Sequence, residues 1–230
     1  LNYMRNYTLF ILILFLFSGC ESEDYDDVEL KSLAICKDGI AANNILGISY
    51  KCKNYDLISL VSLETMDASR ANDSWGWTDP ISGKEFALIG LDNGTGFVDI
   101  SDPISPIYLG KLPTQTISSI WRDLKVYKNH VYIVADFKSS DSDLDKEHGV
   151  QVFDLSRLSS VTNPPEIFIA DFVYKEHGKG HNIAINEDSG YAYSLGTNTY
   201  SGGVHSINLA NPKAPVFAGG FADALSLIHI

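Results

Sequence analysis

Residues 94–100 read GTGFVDI, residues 149–155 read GVQVFDL and residues 203–209 read GVHSINL. Each stretch has a glycine, an Asp or Asn five residues later, and a branched aliphatic residue that closes a short alternating apolar run. The Asp or Asn positions lie 55 residues (154 minus 99) and 54 residues (208 minus 154) apart, close to the period of kelch-type propeller blades. The sequence therefore predicts an internal repeat of β-strands.

The repeat continues after two of the three copies. Residues 101–110 read SDPISPIYLG and residues 210–219 read ANPKAPVFAG, so two prolines and one glycine fall at the same offsets. Because proline cannot donate a hydrogen bond to a neighbouring strand, these prolines predict turns between strands. The middle copy, residues 156–165, reads SRLSSVTNPP and predicts a lengthened version of the same turn.

Two further apolar runs precede each glycine, so each repeat contains four short strands. The nearer runs are residues 86–90, 131–135 and 191–196, and the farther runs are residues 75–77, 124–127 and 183–185. Four-stranded units in series indicate an all-β fold, a β-propeller in which each blade covers the apolar face of its neighbour. A β-sandwich with similar hairpins is the alternative.

The number of blades predicts an incomplete propeller. Three blades fall within residues 74–224, and residues 57–63 predict one strand that could close a ring against a final blade. Closed propellers need about four to eight blades, so we expect about three blades plus one closing strand here. Residues 225–230, LSLIHI, match what a common transposase sequencing adapter encodes, so we expect an artefact; a genuine apolar strand is the alternative.

The N-terminal segment predicts export. The apolar run at residues 9–17 follows Arg5 and is shorter than the ~20 residues that span a bilayer, as in a signal peptide. Residues 17–20, FSGC, resemble a bacterial lipobox. We therefore expect a lipoprotein signal peptide over residues 1–19, with translation starting at Met4, and an acylated Cys20 bound to membrane lipid. A short membrane helix is the alternative.

Residues 20–35 predict an acidic tether between the lipid and the folded domain. Six acidic residues lie between positions 21 and 29 among few apolar ones, a composition typical of solvated, disordered segments. In some bacteria such a stretch after the lipidated cysteine resembles the signal for the outer face of the outer membrane. We therefore expect an exported lipoprotein of the outer membrane, displayed on the cell surface.

Cys36 and Cys52 predict a disulfide in the N-terminal segment, residues 36–73. An exported chain favours their pairing, and a loop of this length is worth roughly 3 kcal/mol in the chain-entropy model. A zinc site is the alternative, but two cysteines without neighbouring ligands make a poor one.

Several motifs together resemble the choice-of-anchor B family. They are SWGWTDP at residues 74–80, FALIGL at 86–91, GFVDISDP at 96–103, SIWRD at 119–123, HGVQVFDL at 148–155 and HNI at 181–183. The resemblance extends over residues 36–224. It implies LVIVD-type propeller repeats and an interchangeable attachment signal, here the lipobox. It implies no reaction, because no molecular function is established for the family.

Aligning the three copies places polar residues at the same level, immediately before the inner strands. We expect any ligand site around the central channel, and the candidates are Asp73, Ser74, Arg122, Asp123, His148, His181 and Asn182. Polar residues that recur at one level of a ring can converge on a ligand or an ion. Alternatively, they cap strand ends and hydrogen-bond to neighbouring blades.

Two segments contain residue types that bind metal ions. Asp141, Asp143 and Asp145 resemble the start of a calcium loop, although Lys146 and Val152 depart from the EF-hand pattern. A solvated acidic loop is the alternative.

His177 and His181 lie four residues apart, as in zinc peptidases, but two intervening glycines argue against the necessary helix. No cofactor is predicted beyond a possible Ca²⁺ or Zn²⁺.

Composition excludes some classes of function. The net charge of -12 argues against nucleic acid as a partner. No Gly-x-Ser-x-Gly elbow and no phosphate-binding glycine loop occur, so no catalytic residue is predicted. Trp75, Trp77 and Trp121 could stack on carbohydrate, but we expect them to pack between blades.

Two functions remain open. The first is a lipid-anchored binding or interaction module of the cell envelope, with an unknown envelope protein, extracellular protein or glycan as its partner. The alternative is a metal-dependent envelope hydrolase that uses His181 and Asp123 in the propeller channel.

Overall fold

The computed structural model describes residues 33–137 and 148–222. These residues form four sheets of three to five strands and two short 3-10 helices. Three sheets are successive blades, so the predicted all-β fold, an incomplete propeller of four-stranded blades, is confirmed. The signal peptide, Cys20, most of the acidic tether, the calcium candidates Asp141, Asp143 and Asp145, and residues 225–230 lie outside the described residues.

The N-terminal sheet is small and contains a disulfide. Its strands are β1 (Cys36–Lys37), β2 (Ile40–Asn43) and β3 (Ile48–Lys51), in the order β1-β2-β3. The sulfur atoms of Cys36 and Cys52 are bonded, with their Cα atoms 5.8 Å apart. The predicted disulfide is therefore confirmed.

The closing strand predicted at residues 57–63 is wrong. Leu57 forms an isolated antiparallel bridge with Ala34, the Ile58 carbonyl oxygen accepts from the Leu33 N–H (3.1 Å), and residues 57–63 belong to no strand. The segment then turns and attaches to the first blade. The buried Lys111 ammonium donates to the carbonyl oxygens of Met66 (3.1 Å) and Asp67 (2.7 Å).

Blade 1 consists of β4 (Ala71–Thr78), β5 (Glu85–Leu91), β6 (Gly94–Asp99) and β7 (Ile107–Pro113), paired antiparallel in chain order. Blade 2 consists of β8 (Trp121–Tyr127), β9 (His130–Asp136), β10 (Val150–Asp154) and β12 (Phe172–Tyr174). Blade 3 consists of β13 (Asn182–Asn186), β14 (Tyr191–Leu195), β15 (Val204–Asn208) and β16 (Val216–Phe221).

The middle repeat differs from the lengthened turn that its sequence predicts. After β10, the chain forms a 3-10 helix (Leu155–Ser160) and then β11 (Glu166–Ile167), which pairs parallel with β7 of blade 1. Blade 1 therefore has five strands. The added strand crosses from one blade to the next because the longer connection reaches the free outer edge of β7.

The repeated glycines allow close approach of the backbones. A Cβ atom at each of these glycines would collide with a backbone carbonyl oxygen in the fourth strand of the same blade, which is β7, β12 or β16. These oxygens belong to Leu112, Tyr174 and Phe221 for Gly94, Gly149 and Gly203, respectively. The recurring glycine is thus a steric requirement of blade assembly.

The repeated Asp or Asn closes a turn. In each copy, its side-chain oxygen accepts a hydrogen bond from the backbone N–H two residues later. The pairs are Asp99 with Ser101 (3.0 Å), Asp154 with Ser156 (3.1 Å) and Asn208 with Ala210 (2.7 Å). This bond ends the third strand of the blade, so the residues that define the sequence repeat are structural.

Two apolar clusters join the blades. Phe97 of blade 1 stacks on Phe153 of blade 2 with ring centroids 4.9 Å apart, and both side chains are fully buried. Between blades 2 and 3, Val134 and Val152 belong to a cluster with Ile207. Burying a Phe side chain contributes roughly 1.5–3 kcal/mol, so these contacts hold the blades together and align their inner strands.

Candidate functional site

The inner strands of all three blades enclose one polar cavity. Its volume is about 280 Å³, and its lining residues are Asn72, Asp73, Trp121, Arg122, Asp123, His181 and Asn182. Five of the seven predicted candidates therefore meet here. The remaining two, Ser74 and His148, are not among the lining residues.

Two aspartates bridge neighbouring blades at this cavity. The Asp73 carboxylate accepts a hydrogen bond from the backbone N–H of Leu124 (3.0 Å). The Asp123 carboxylate accepts from the backbone N–H of Ile183 (2.8 Å) and from Asn182 Nδ2 (3.2 Å). Each aspartate thus holds the inner strand of the next blade. The inter-blade hydrogen bonds proposed as an alternative from the sequence are present, and they fix the carboxylates at the cavity.

Lys125 lies between the two carboxylates. Its Nζ atom donates to Asp123 Oδ1 at 2.6 Å and lies 3.6 Å from Asp73 Oδ2. The same ammonium group lies 4.7 Å from the ring centroid of Trp75, within cation–π range. One cation thus joins an aromatic ring of blade 1 to a carboxylate of blade 2.

The two carboxyl groups differ in their affinity for protons. Burial and the hydrogen bond with Asp123 raise the pKa of Asp73. Burial alone would also raise the pKa of Asp123, but hydrogen bonds with Asp73, Lys125 and the Ile183 amide bring it below its ordinary value. When the pair takes up a proton, Asp73 therefore binds it before Asp123.

The two ring nitrogens of His181 differ in their surroundings, because only one of them contacts Asp136. Its Nδ1 atom lies 2.9 Å from Asp136 Oδ2. Because a carboxylate only accepts, Nδ1 donates, and Nε2 is the nitrogen that Asp136 does not use. Lys179 Nζ donates to the other oxygen of Asp136 at 3.1 Å. The His181 ring also lies 6.1 Å from the Trp121 ring.

Arg122 extends from the cavity into the interface between blades 1 and 2. Its Nε atom donates to the carbonyl oxygen of Leu91 (2.9 Å), and Nη1 lies 2.9 Å from His148 Nε2. Its Nη2 atom has no hydrogen-bond partner among the described residues. Burial lowers the pKa of Arg122 to about 10.

His148 is buried behind the cavity and does not line it. Because Arg122 can only donate, His148 Nε2 accepts, and Nδ1 donates to the carbonyl oxygen of Gly149 (3.0 Å). Burial and the Arg122 charge lower the pKa of His148 to about 3. His148 is thus neutral at pH 7 and positions Arg122. The sequence places His148 among the channel candidates; its ring turns to this buried guanidinium group and does not line the cavity.

Ser74 is exposed on β4 and lies outside the cavity lining. The pairing register of β4 with β5 shifts between Ala71 and Ser74. Such an irregularity changes the direction of neighbouring side chains. Asn72 and Asp73, which lie within the shifted stretch, reach the cavity instead.

The tryptophans divide into two groups. Trp77 is 7% exposed and packs on Phe86 with centroids 5.4 Å apart, as the sequence predicts. Trp75 and Trp121 are 41% and 53% exposed. Neither ring is buried between blades as the sequence predicts: Trp121 lines the cavity, and Trp75 is half-exposed against Lys125 of blade 2.

The histidine pair predicted as a possible zinc site occupies two different environments. His177 is buried against Tyr174 and His205, with ring centroids 5.8 and 4.8 Å away, whereas His181 contacts Asp136 at the cavity. Among residues 33–137 and 148–222, no three His, Cys, Asp or Glu side chains are grouped so that they could hold a metal ion.

Asn72, Lys125 and Asp136 are not among the residues that the sequence predicts for this site. Lys125 was detectable, because Trp121, Asp123 and Lys125 alternate along β8 and therefore share one face of the strand. Asp136 was not, since it is brought to His181 only by the contact between blades 2 and 3.

Comparison of the chain with models of protein families, with curated proteins and with solved structures found no match. In the described part of the chain, no helix is long and apolar enough to cross a bilayer.

Proposed function

We propose that this protein is a binding module of the cell envelope that binds a carbohydrate in the cavity between the inner strands. The observation that carries the proposal is the open ring of Trp121, 53% exposed beside carboxylate, amide and imidazole groups from the other strands. The two functions proposed from the sequence share this cavity, and its chemistry favours binding.

The lining matches the surface of a sugar. An exposed indole presents a flat apolar face to the C–H side of a pyranose, while the hydroxyl groups need donors and acceptors at its rim. The Asp123 carboxylate supplies acceptor oxygens there, and the His181 ring and the Asn182 amide supply further polar groups that can hydrogen-bond to hydroxyl groups. The chain's acidity disfavours an anionic ligand, and neutral hydroxyl groups fit this charge.

The polar groups are held in place before a ligand binds. Asp73 and Asp123 each accept a backbone N–H of the next blade, and Asp136 orients His181. Side chains that are already ordered lose less conformational entropy on binding. This arrangement supports recognition by a rigid site.

The alternative function is hydrolysis at the same cavity. The metal-dependent hydrolase proposed from the sequence remains a prediction. The aspartate pair does not favour glycoside hydrolysis. Asp73 and Asp123 interact closely enough to shift each other's pKa in opposite directions, whereas glycosidases hold their two carboxyl groups apart on either side of the scissile bond.

Titration calorimetry with a panel of soluble oligosaccharides, among them cellohexaose, chitohexaose and mannohexaose, tests the proposal. We expect at least one oligosaccharide to bind, and Trp121→Ala to weaken its binding at least tenfold, because truncating a central aromatic residue of a binding site typically costs about 2 kcal/mol or more. Reducing-end assays of the same mixtures report any hydrolysis.

Tyr55→Ala is the matched control, because Tyr55 is an exposed aromatic residue outside the cavity. It should leave binding unchanged. Binding that survives Trp121→Ala, or an equal loss in both variants, would contradict the placement of the site.

We also propose that the protein is a choice-of-anchor B lipoprotein displayed on the outer membrane. The motifs quoted above and the FSGC lipobox support this proposal. Attachment through Cys20 and the acidic tether would hold the propeller outside the bilayer, where an extracellular glycan or protein can reach its cavity.

A further inference from the structure

A second cavity lies at the outer side of the interface between blades 2 and 3. Its volume is about 250 Å³, and its lining residues are Glu176, Thr199, Tyr200, His205 and Phe217. Glu176 follows β12 of blade 2, and the other four belong to blade 3. Both walls are thus formed by described blades, and the lining differs entirely from that of the cavity between the inner strands.

Three aromatic rings form most of this lining. Tyr200 and Phe217 are parallel within 3°, with centroids 6.4 Å apart. The His205 ring is tilted toward both, 5.8 Å from Tyr200 and 5.1 Å from Phe217. Phe217 is 47% exposed, so the cavity is open to solvent on that side. Aromatic faces carry negative electrostatic potential, which attracts cations.

His205 contributes to these walls as a neutral ring. Its Nε2 atom shares a hydrogen bond with the Tyr174 hydroxyl (2.7 Å), and its Nδ1 atom shares one with Thr199 Oγ1 (2.9 Å). Burial lowers the pKa of His205, and the Glu176 charge offsets this effect only in part. At pH 7, His205 therefore does not repel a cation.

Glu176 supplies the charge of the cavity. It is the single acidic or basic group in the lining apart from the neutral His205. Its carboxylate is close enough to raise the pKa of both His205 and Tyr174, although burial is the larger effect on each. Three rings and one carboxylate are the components of sites that bind organic cations.

The position of Tyr200 is specified by the backbone. Tyr200 and Ser201 have left-handed φ angles of 49° and 53°, which is unfavourable for residues other than glycine. The turn is held by the N–H of Gly203, which donates to the Tyr200 carbonyl oxygen (2.8 Å). A Cβ at Gly220 would collide with the Tyr200 ring, so the glycine admits the ring to the cavity. A strained, over-determined conformation is typical of binding sites.

We infer that this cavity binds an ammonium group of an organic cation, most favourably a quaternary one such as the choline head group. The methyl groups contact the faces of Tyr200, His205 and Phe217, and Glu176 balances the charge. A primary ammonium would bind less well, because it loses more hydration on entry into an aromatic lining. The inference does not depend on carbohydrate binding at the other cavity.

The test compares choline with 3,3-dimethylbutan-1-ol, its neutral isostere, by NMR titration of the purified protein. Choline should shift signals of the residues around Tyr200 and Phe217, and the isostere should bind about tenfold more weakly or not at all. Glu176→Gln should weaken choline binding several-fold and leave the affinity for the isostere unchanged, because only the cation interacts with the carboxylate charge.

Phe217→Ala removes one wall at a half-exposed position and should weaken choline binding without unfolding the protein, as a thermal melt will show. Phe221→Ala is the matched control, since Phe221 is a similarly exposed ring on the same strand outside the cavity lining. It should have no effect. Equal affinity for choline and its isostere, no choline binding at 50 mM (~50-fold above a millimolar Kd), or equal losses in both Phe variants would overturn the inference.

One further assay distinguishes the source of the head group. Co-sedimentation with phosphatidylcholine vesicles, abolished by Phe217→Ala, would assign the site to a lipid. Choline binding without co-sedimentation would assign it to a free small molecule. Both results require the same cation site.

Discussion

At the scale of single residues, this protein buries histidines as neutral groups. His177 is 2% exposed, and neither ring nitrogen has a hydrogen-bond partner of normal geometry among the described residues. Burial and the neighbouring His205 lower the pKa of His177 to about 4. His148 has a pKa lowered further, to about 3. These residues act as packing and positioning groups near pH 7 and oppose folding when they become charged.

The lowered pKa values of the buried histidines make the free energy of unfolding depend on pH. A histidine whose pKa falls from 6.5 to about 4 on folding binds its proton first in the unfolded chain. The free energy of unfolding should therefore decrease as the pH falls from 6.5 to 4, by up to about 3 kcal/mol for His177. Hydrogen bonds from Ser159 and Ser82 lower the pKa of Asp79 from 3.8 to about 2, so this carboxylate affects the free energy of unfolding only below pH 4. Urea unfolding at pH 7.0 and 4.5 measures the difference.

His177→Leu should reduce this decrease, because an apolar side chain of similar size needs neither a proton nor a hydrogen bond. Its stability at pH 7 should remain within about 1.5 kcal/mol of the parent. A variant that loses as much stability as the parent between pH 7.0 and 4.5 would show that other groups govern the acid transition.

At the scale of strands and turns, the repeated glycine governs how the blades assemble. Gly149 has a φ of 62°, and an added Cβ would collide with the carbonyl oxygen of Tyr174 in the neighbouring strand. Gly83 has a similar φ of 73° but nothing within 4 Å of an added Cβ. The two positions therefore separate the cost of the backbone conformation from the cost of the collision.

We expect Gly83→Ala to lower the free energy of unfolding by about 1–2 kcal/mol, the cost of a left-handed alanine. Gly149→Ala should cost at least about 2 kcal/mol more, since β12 must move away from β10. Chemical denaturation of both variants measures the difference. Equal losses would mean that the strands move apart without strain, and that the repeated glycine is needed only for its left-handed backbone conformation.

The strands of each blade were predictable from the sequence, but the pairing of β11 with blade 1 was not. The strands of each blade follow from apolar runs and proline-marked turns, which are local signals. The crossing of β11 to blade 1 was not predictable, because Glu166 and Ile167 have no pattern that specifies their partner. The closing strand predicted at residues 57–63 does not form either: its apolar run is a local signal, but the segment pairs only briefly, with Leu33 and Ala34.

At the scale of the whole molecule, attachment to a membrane is a prediction that rests on the sequence of the N-terminal segment. The FSGC sequence predicts acylation of Cys20, and the acidic residues after it predict a solvated tether. One lipidated cysteine carries two acyl chains on its glycerol group, enough for stable anchoring.

We expect the full-length protein to incorporate an alkyne-labelled fatty acid in a bacterial host and to fractionate with membranes. Cys20→Ser should abolish both the label and the membrane association. Cys36→Ser is the control: it breaks the disulfide with Cys52 and should leave the label in place. An unlabelled parent protein would contradict the lipobox assignment.

The sequence by itself determined the repeat, the strand content and the turn residues, because periodicity, proline and glycine act over a few residues. It also predicted the pairing of Cys36 with Cys52, which an exported chain favours. It also indicated which residues begin the inner strands. Only the tertiary structure decided that Asp73, Asp123 and His181 share a cavity with an exposed Trp121, and that Tyr200 and Phe217 enclose another beside Glu176. These contacts join residues of different strands and blades, and they depend on register and blade packing that no local pattern encodes.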